Sequence, residues 1–139
     1  IEIAKRAAKA TICLTSAMSF HQLTDQLLRK VWIAIGATDW APRIESPQIR
    51  IVRFREPYLA NGLEVHRIRD VEVRVYSIAK TIADAFRNPK LVDRSVAIDA
   101  MKSALNDRKA TPGQLAAAAQ ENRAWNQMRP YLEALTSNG

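Results

Sequence analysis

The sequence is poor in the residues from which most small chemical sites are built. Its single cysteine, Cys13, excludes an intramolecular disulfide and points to a reducing, cytoplasmic setting. Only His21 and His66 are present, and no cluster of Cys, His, Asp and Glu has the spacing of a zinc site, so no metal or other cofactor is expected. The glycines at Gly36, Gly62, Gly113 and Gly139 lie too far apart for a phosphate-cradling loop, which speaks against a nucleotide-hydrolysing site. No apolar run approaches the roughly 18 residues of a membrane span, and no signal peptide is expected. The one apolar stretch near the start, Ile12 to Phe20, is interrupted by Thr15, Ser16 and Ser19. Neither histidine sits in a motif with a nucleophile and an orienting acid. His21, beside Phe20, reads as a hydrogen-bonded packing residue and His66 as a half-exposed strand residue.

Positive charge is in excess: 21 Lys and Arg against 14 acids give a net charge of +7. Neither half is a basic tail, because both carry more bases than acids. Such a surface attracts nucleic acid or an acidic protein and says little about fold. With 139 residues, 47% of them hydrophobic, the chain is long enough for one domain with a real core and is read as a single domain over 1–139. It opens at Ile1 directly into a helical Ala/Lys/Arg pattern, which reads as the interior of a longer protein.

The strongest local signal is the run Val71-Glu-Val-Arg-Val-Tyr76 followed by Ser77-Ile-Ala-Lys-Thr-Ile-Ala-Asp-Ala-Phe86, where the apolar period changes from two to about 3.6 within one residue. A strand feeds a helix there. Val71, Val73 and Val75 form an apolar row opposite Glu72, Arg74 and Tyr76. Ser77 is an N-cap candidate, and Ile78, Ile82 and Phe86 share one helical face. Lys80, Thr81 and Asp84 fall on the other side. A lysine in the first turn opposes the helix dipole, and Lys before Asp is the weaker order at i,i+4. These residues face solvent, a partner or a buried polar network.

Elsewhere, residues 2–23 read as one or two helices, and Val31-Trp-Ile-Ala-Ile35 as a strand. Residues 48–54 and 63–68 read as two further strands, with Asn61-Gly62 as a candidate hairpin turn and Arg69-Asp70 as a tight link to 71–76. Four strands in succession with short links predict a mainly antiparallel sheet. From residue 77 onward the pattern is helical: 77–86, 93–107, a helix opened by the capping box Thr111-Pro-Gly-Gln114, and a last segment from about Arg123 that Pro130 kinks or restarts. The expected class is α+β, a small four-stranded sheet flanked by an N-terminal helix and a C-terminal group of helices.

Arginines recur on the strands. Arg50, Arg53, Arg55, Arg67, Arg69 and Arg74 could make a basic surface near Tyr58 or Tyr76, with forks suited to phosphate or carboxylate, or they could pair in cis with Glu45, Glu56, Glu64 and Glu72. Asp70, Glu72 and Arg74 come closest to a metal-dependent nuclease set, but arginine cannot act as a base and Asp70 lies at a turn.

Five segments, Ile12-Cys-Leu-Thr-Ser-Ala-Met-Ser-Phe-His-Gln-Leu-Thr24, Val31-Trp-Ile-Ala-Ile35, Arg50-Ile-Val-Arg-Phe54, Val73-Arg-Val-Tyr-Ser-Ile-Ala-Lys-Thr-Ile-Ala-Asp-Ala-Phe86 and Met128-Arg-Pro-Tyr-Leu-Glu-Ala-Leu135, resemble successive blocks of the AbiEi-type antitoxins. These are the transcription-regulator halves of bacterial type IV abortive-infection toxin–antitoxin pairs. The resemblance implies a two-domain protein, with an N-terminal winged helix-turn-helix that binds promoter DNA and a C-terminal domain that counteracts a nucleotidyltransferase-like toxin. This chain matches the second domain, and nothing before Thr11 offers the first. The resemblance further implies a non-catalytic antitoxin and regulator domain. Its partner-binding candidates are Lys80, Thr81, Asp84, Arg74, Tyr76, Ser16 and His21. The strand pattern itself, apart from the resemblance, offers Arg50, Arg53, Arg55, Arg67 and Arg69 as nucleic-acid-binding candidates. The competing expectations are a nuclease-like enzyme, active or degenerate, and a plain nucleic-acid-binding domain.

Overall fold

A computed structural model describes residues 1–137 as an α+β fold. Along the chain run α1 (Glu2–Arg6), β1 (Thr11–Ile12), α2 (Leu14–Phe20), β2 (Val31–Gly36), β3 (Ile49–Phe54), β4 (Leu63–Ile68), β5 (Val71–Tyr76), α3 (Ile78–Arg87), α4 (Arg94–Asn106), α5 (Pro112–Glu121) and α6 (Trp125–Thr136).

The sheet is five-stranded and mixed, in the order β3-β2-β1-β5-β4, where four mainly antiparallel strands were expected. β1 pairs antiparallel with β2 and parallel with β5; β2 and β3 are parallel, and β4 and β5 antiparallel. Two physical causes separate this from the expected meander. Residues 37–48 are a connection long enough to carry the chain back to the start of the sheet, so β2 and β3 run in the same direction. β1 supplies the central strand with only two residues, too few to show any period. Its shortness leaves the Trp32 amide of β2 without a strand partner, and the Ser16 hydroxyl accepts that N–H at 2.8 Å.

Of the two expected hairpin links, Arg69-Asp70 is one: both residues take positive φ (51° and 65°), the twist that a two-residue hairpin needs. Asn61-Gly62 is not, because β3 and β4 lie on opposite edges of the sheet. Residues 55–62 instead cross from one edge to the other, a distance of about 19 Å at the usual strand spacing. The bond from the Ser77 amide to the Gly62 carbonyl (2.8 Å) ends this crossover against the start of α3.

Each sheet face has its own cover. Val73 and Val75 are buried with Ala17, and Ala4 of α1 packs on them together with Ile12, Ile68 and Val71. Ile3, Ala10, Ile33 and Ile35 continue that layer. On the other face Ala34, Phe54 and Tyr76 join Ile82, Phe86, Met101, Leu115, Met128 and Leu132 in the main core. Helix starts follow their sequence signals. The Ser77 hydroxyl accepts the Lys80 amide, and Thr111 and Gln114 form the reciprocal capping box with Pro112 at the first helical position. Pro130 stays inside α6 and does not restart it.

Helix ends are less conventional. α2, α4 and α5 close with 6→1 backbone bonds, Leu23 N–H to Met18 O, Lys109 N–H to Ala104 O and Ala124 N–H to Ala119 O, each 2.8 Å long. The left-handed residues in these closures are Gln22, Arg108 and Arg123, where glycine is the usual occupant.

Two substitutions test the layer assignment and the helix-end strain. Val73→Asp places a charge in the layer under α1, where Val73 is 5% exposed, and should lower stability by several kcal/mol. A cooperatively folded variant with unchanged melting temperature would assign the wrong strand face to the core. Conversely, Arg108→Gly relieves a left-handed side chain at an exposed helix end and should raise stability by about 0.5–1 kcal/mol in urea denaturation. A loss of stability would contradict the strain argument.

Candidate functional site

The polar side of α3 is not a surface. Lys80 is 1% exposed, and Thr81 and Asp84 are fully buried, so the solvent-facing alternative for these residues is corrected. They lie inward because α3 is covered on all sides, by α2, α4, α5, α6 and the crossover.

The Lys80 ammonium sits at the centre of the resulting network. Its Nζ donates to the Tyr58 carbonyl of the crossover and to Asn122 Oδ1 at the end of α5 (2.7 Å), and lies 3.3 Å from Asp84 Oδ1. Asn122 is fixed in turn by its own Nδ2 donating to the Ala118 carbonyl at 2.8 Å. The Phe54 and Tyr76 rings flank the ammonium, with centroids 5.5 and 5.0 Å away. Asp84 Oδ1 also accepts from Arg87 Nη2 at 2.8 Å, whereas Oδ2 is buried with no partner. Two cations therefore share one carboxylate.

Tyr76 closes the network on the β5 side. Its hydroxyl donates to the Leu59 carbonyl at 2.6 Å, and its own carbonyl accepts from His21 Nε2 (2.8 Å) and Thr81 Oγ1 (3.4 Å). A carbonyl can only accept, so His21 carries its proton on Nε2. Asn61 Nδ2 adds a bond to the Glu121 carbonyl at 3.3 Å. The crossover is thus tied to β5, α3 and α5. Gly62 is needed at its end for two reasons. Its φ is +74°, and a Cβ there would lie 2.4 Å from Lys80 Cβ.

Burial sets the protonation behaviour. It raises the Asp84 carboxyl to about 6, although Lys80 and Arg87 pull it down, and it lowers the Lys80 ammonium from its ordinary value. Burial likewise pushes the Tyr76 hydroxyl and the Cys13 thiol up. Cys13 is thereby an inert packing residue rather than a nucleophile.

Of the resemblance-derived candidates, Lys80, Thr81, Asp84, Tyr76 and His21 come together in this network. Ser16 is committed to the Trp32 amide, and Arg74 lies half-buried on β5 opposite Val65. The strand arginines do not form one surface. Arg50, Arg53 and Arg55 belong to the β3 edge, and Arg67 and Arg69 to the opposite edge. Arg50 stacks on the Trp32 ring at 5.0 Å, and Arg53 Nη1 donates to the carbonyls of Gly36 (2.9 Å), Ala37 (3.2 Å) and Asp39 (2.8 Å). Among the described residues none of the three β3-edge arginines pairs with an acid, and Arg67 contacts Asp70 rather than Glu64 or Glu72, at 3.9 Å. Asp70 points into solvent at the hairpin tip with Glu72 exposed, so the nuclease-like set does not converge. No group of three His, Cys, Asp or Glu side chains is placed to hold a metal ion among the described residues.

The sequence reading missed Asn122, Arg87 and Gly62. Two signals were there, an asparagine at the end of an alanine-rich helix and an arginine three residues after Asp84, whereas Gly62 was assigned to a hairpin that the strand order excludes.

Because Lys80 feeds buried acceptors on three elements, Lys80→Met should cost about 3–5 kcal/mol in urea denaturation. The double variant Lys80→Met/Asp84→Asn should cost less than the sum of the single changes. Additive losses would mean that the pair is not coupled. The pH dependence has a definite sign. The folded protein holds the Asp84 proton more tightly than the unfolded chain does. Stability from this group is therefore present below pH ~4 and lost as pH rises through about 6. Relative to Asp84→Asn, the native protein should lose on the order of 3 kcal/mol across that window. Parallel stability profiles for the two proteins would refute it.

A scan against protein-family models and a search of curated proteins find no match to this chain.

Proposed function

We propose that this chain is the C-terminal, non-catalytic module of an AbiEi-type antitoxin, acting in the bacterial cytoplasm to counteract a nucleotidyltransferase-like toxin and to support autorepression. The reading rests on the resemblance, and the structure adds how its most recognisable block is used. The polar residues of its most recognisable block, Lys80, Thr81 and Asp84, are spent inside the protein on holding elements together. Such residues maintain the shape and charge of a surface, and the positively charged exterior suits an acidic or nucleic-acid partner. Promoter recognition in this reading belongs to a winged helix-turn-helix carried upstream, with the arginines of the sheet edges in support. Among the described residues no helix is long and apolar enough to cross a membrane.

The test is co-expression of the complete protein with the nucleotidyltransferase-like reading frame expected beside its gene. Growth should be rescued, and rescue should vanish when residues 1–139 are deleted from an otherwise intact protein. Rescue that survives the deletion would overturn the proposal. A Mg²⁺- or Mn²⁺-dependent nicking assay covers the enzymatic alternative: cleavage by the native chain that is lost in Glu72→Ala would establish a nuclease instead.

A further inference from the structure

Behind the sheet edge the buried network opens onto a cleft of about 540 Å³, lined by Val52, Arg55, Tyr58, Arg87, Leu91 and Arg123 among others, with no acidic residue in its wall. Arg87 is held rigidly. Its guanidinium stacks 4.7 Å from the Tyr58 ring centroid and 5.1 Å from that of Phe54, and it is tethered to Asp84 below. Arg55 approaches Tyr58 too, at 5.7 Å, so the Tyr58 ring orients two guanidinium groups. Among the described residues neither Arg55 nor Arg123 has an ion-pair partner, and Asp84, the one acid at Arg87, is already shared with Lys80. The floor of the cleft therefore carries a cation that its own counter-ion only half balances.

We propose that this cleft is a binding site for a small phosphate-bearing ligand. Several forked donors around an uncompensated positive charge call for an anion with more than the two oxygens and single charge of a carboxylate. A phosphate group has both. The volume exceeds a bare anion, and Val52 and Leu91 in the lining offer apolar contact to an organic group attached to it. The buried network aligns the site from behind. Lys80 binds the carbonyl of Tyr58, whose ring orients Arg55 and Arg87, and it binds the side chain of Asn122, the residue before Arg123. The proposal does not rest on the antitoxin reading, because it concerns ligand binding by the isolated chain.

Calorimetric titration of the full chain with pyrophosphate, with sulfate at matched ionic strength as reference, tests it. Pyrophosphate should saturate one site and raise the melting temperature. Arg55→Gln and Arg123→Gln, both at exposed positions, should each weaken binding by about tenfold or more, and Arg67→Gln on the far sheet edge should leave it unchanged. Arg87→Lys keeps the charge but loses the fork, and it should weaken binding as well. If that variant does not fold, Arg55→Gln and Arg123→Gln decide. Absence of saturable binding at millimolar pyrophosphate would overturn the site, as would equal weakening by Arg67→Gln, which would indicate net charge alone. Tighter binding of an oligonucleotide without a terminal phosphate, through the same arginines, would overturn it in favour of a nucleic-acid backbone groove.

Discussion

The architecture depends on carrying the chain from one sheet edge to the other against α3, and on the lysine that anchors it there. In residues 55–62 the carbonyls of Arg55, Pro57, Ala60 and Gly62 accept backbone amides, whereas those of Tyr58 and Leu59 are met by side chains, and an unpaired buried carbonyl costs about as much as a lost hydrogen bond. Lys80 supplies a donor to Tyr58 from α3, and Tyr76 supplies one to Leu59 from β5. An ammonium suits the first task because its three protons can be distributed over acceptors on different elements, here the crossover, α5 and Asp84. An apolar residue of similar length would fill the space and leave Tyr58 and Asn122 unsatisfied.

Desolvation opposes this arrangement. A buried ion pair is weak evidence for stability, since removing two charges from water can cost more than their attraction returns. The network offsets the cost by other means. The Phe54 and Tyr76 rings face the ammonium, Asn122 is locked by its own bond to α5, and Asp84 draws on both Lys80 and Arg87. The remaining imbalance falls on Asp84, where one oxygen has no donor and burial raises the proton affinity. The pair is thus better suited to specifying which elements meet than to adding net stability. Its selectivity lies in geometry, because only one placement of the crossover brings Tyr58, Asn122 and Asp84 within reach of one nitrogen.

Much of the outline was legible in the sequence, for local reasons. The change of period at Ser77 located β5 and α3, and the Thr111 capping box located the start of α5, because both signals are complete within a few residues. What was hidden depends on long-range pairing. β1 has two residues and no period, and the parallel alignment of β2 and β3 is set by where the chain returns after residue 48. Helix ends were obscured because Gln22, Arg108 and Arg123 take the left-handed positions where glycine would have marked a stop. For Lys80 and Asp84 the pattern left a solvated face, a partner and a buried network open. The signal for burial was composition: α3 carries only Lys80, Thr81, Asp84 and Arg87 among its polar residues, too few for an open face. Gly62 was read as a turn, whereas the space it leaves is taken by Lys80.

One chain of contacts links burial to surface. Tyr58 presents its carbonyl to Lys80 and its ring to Arg55 and Arg87, so fixing the backbone of the crossover also fixes the direction of two surface cations. Asn122 receives Lys80 and directly precedes Arg123 at the left-handed corner after α5. A shift of Lys80 would therefore propagate to both walls of the cleft without any cleft residue being altered. Side chains that never meet solvent can in this way determine the pattern of charge that a partner or ligand encounters, because guanidinium forks recognise by direction as well as by charge.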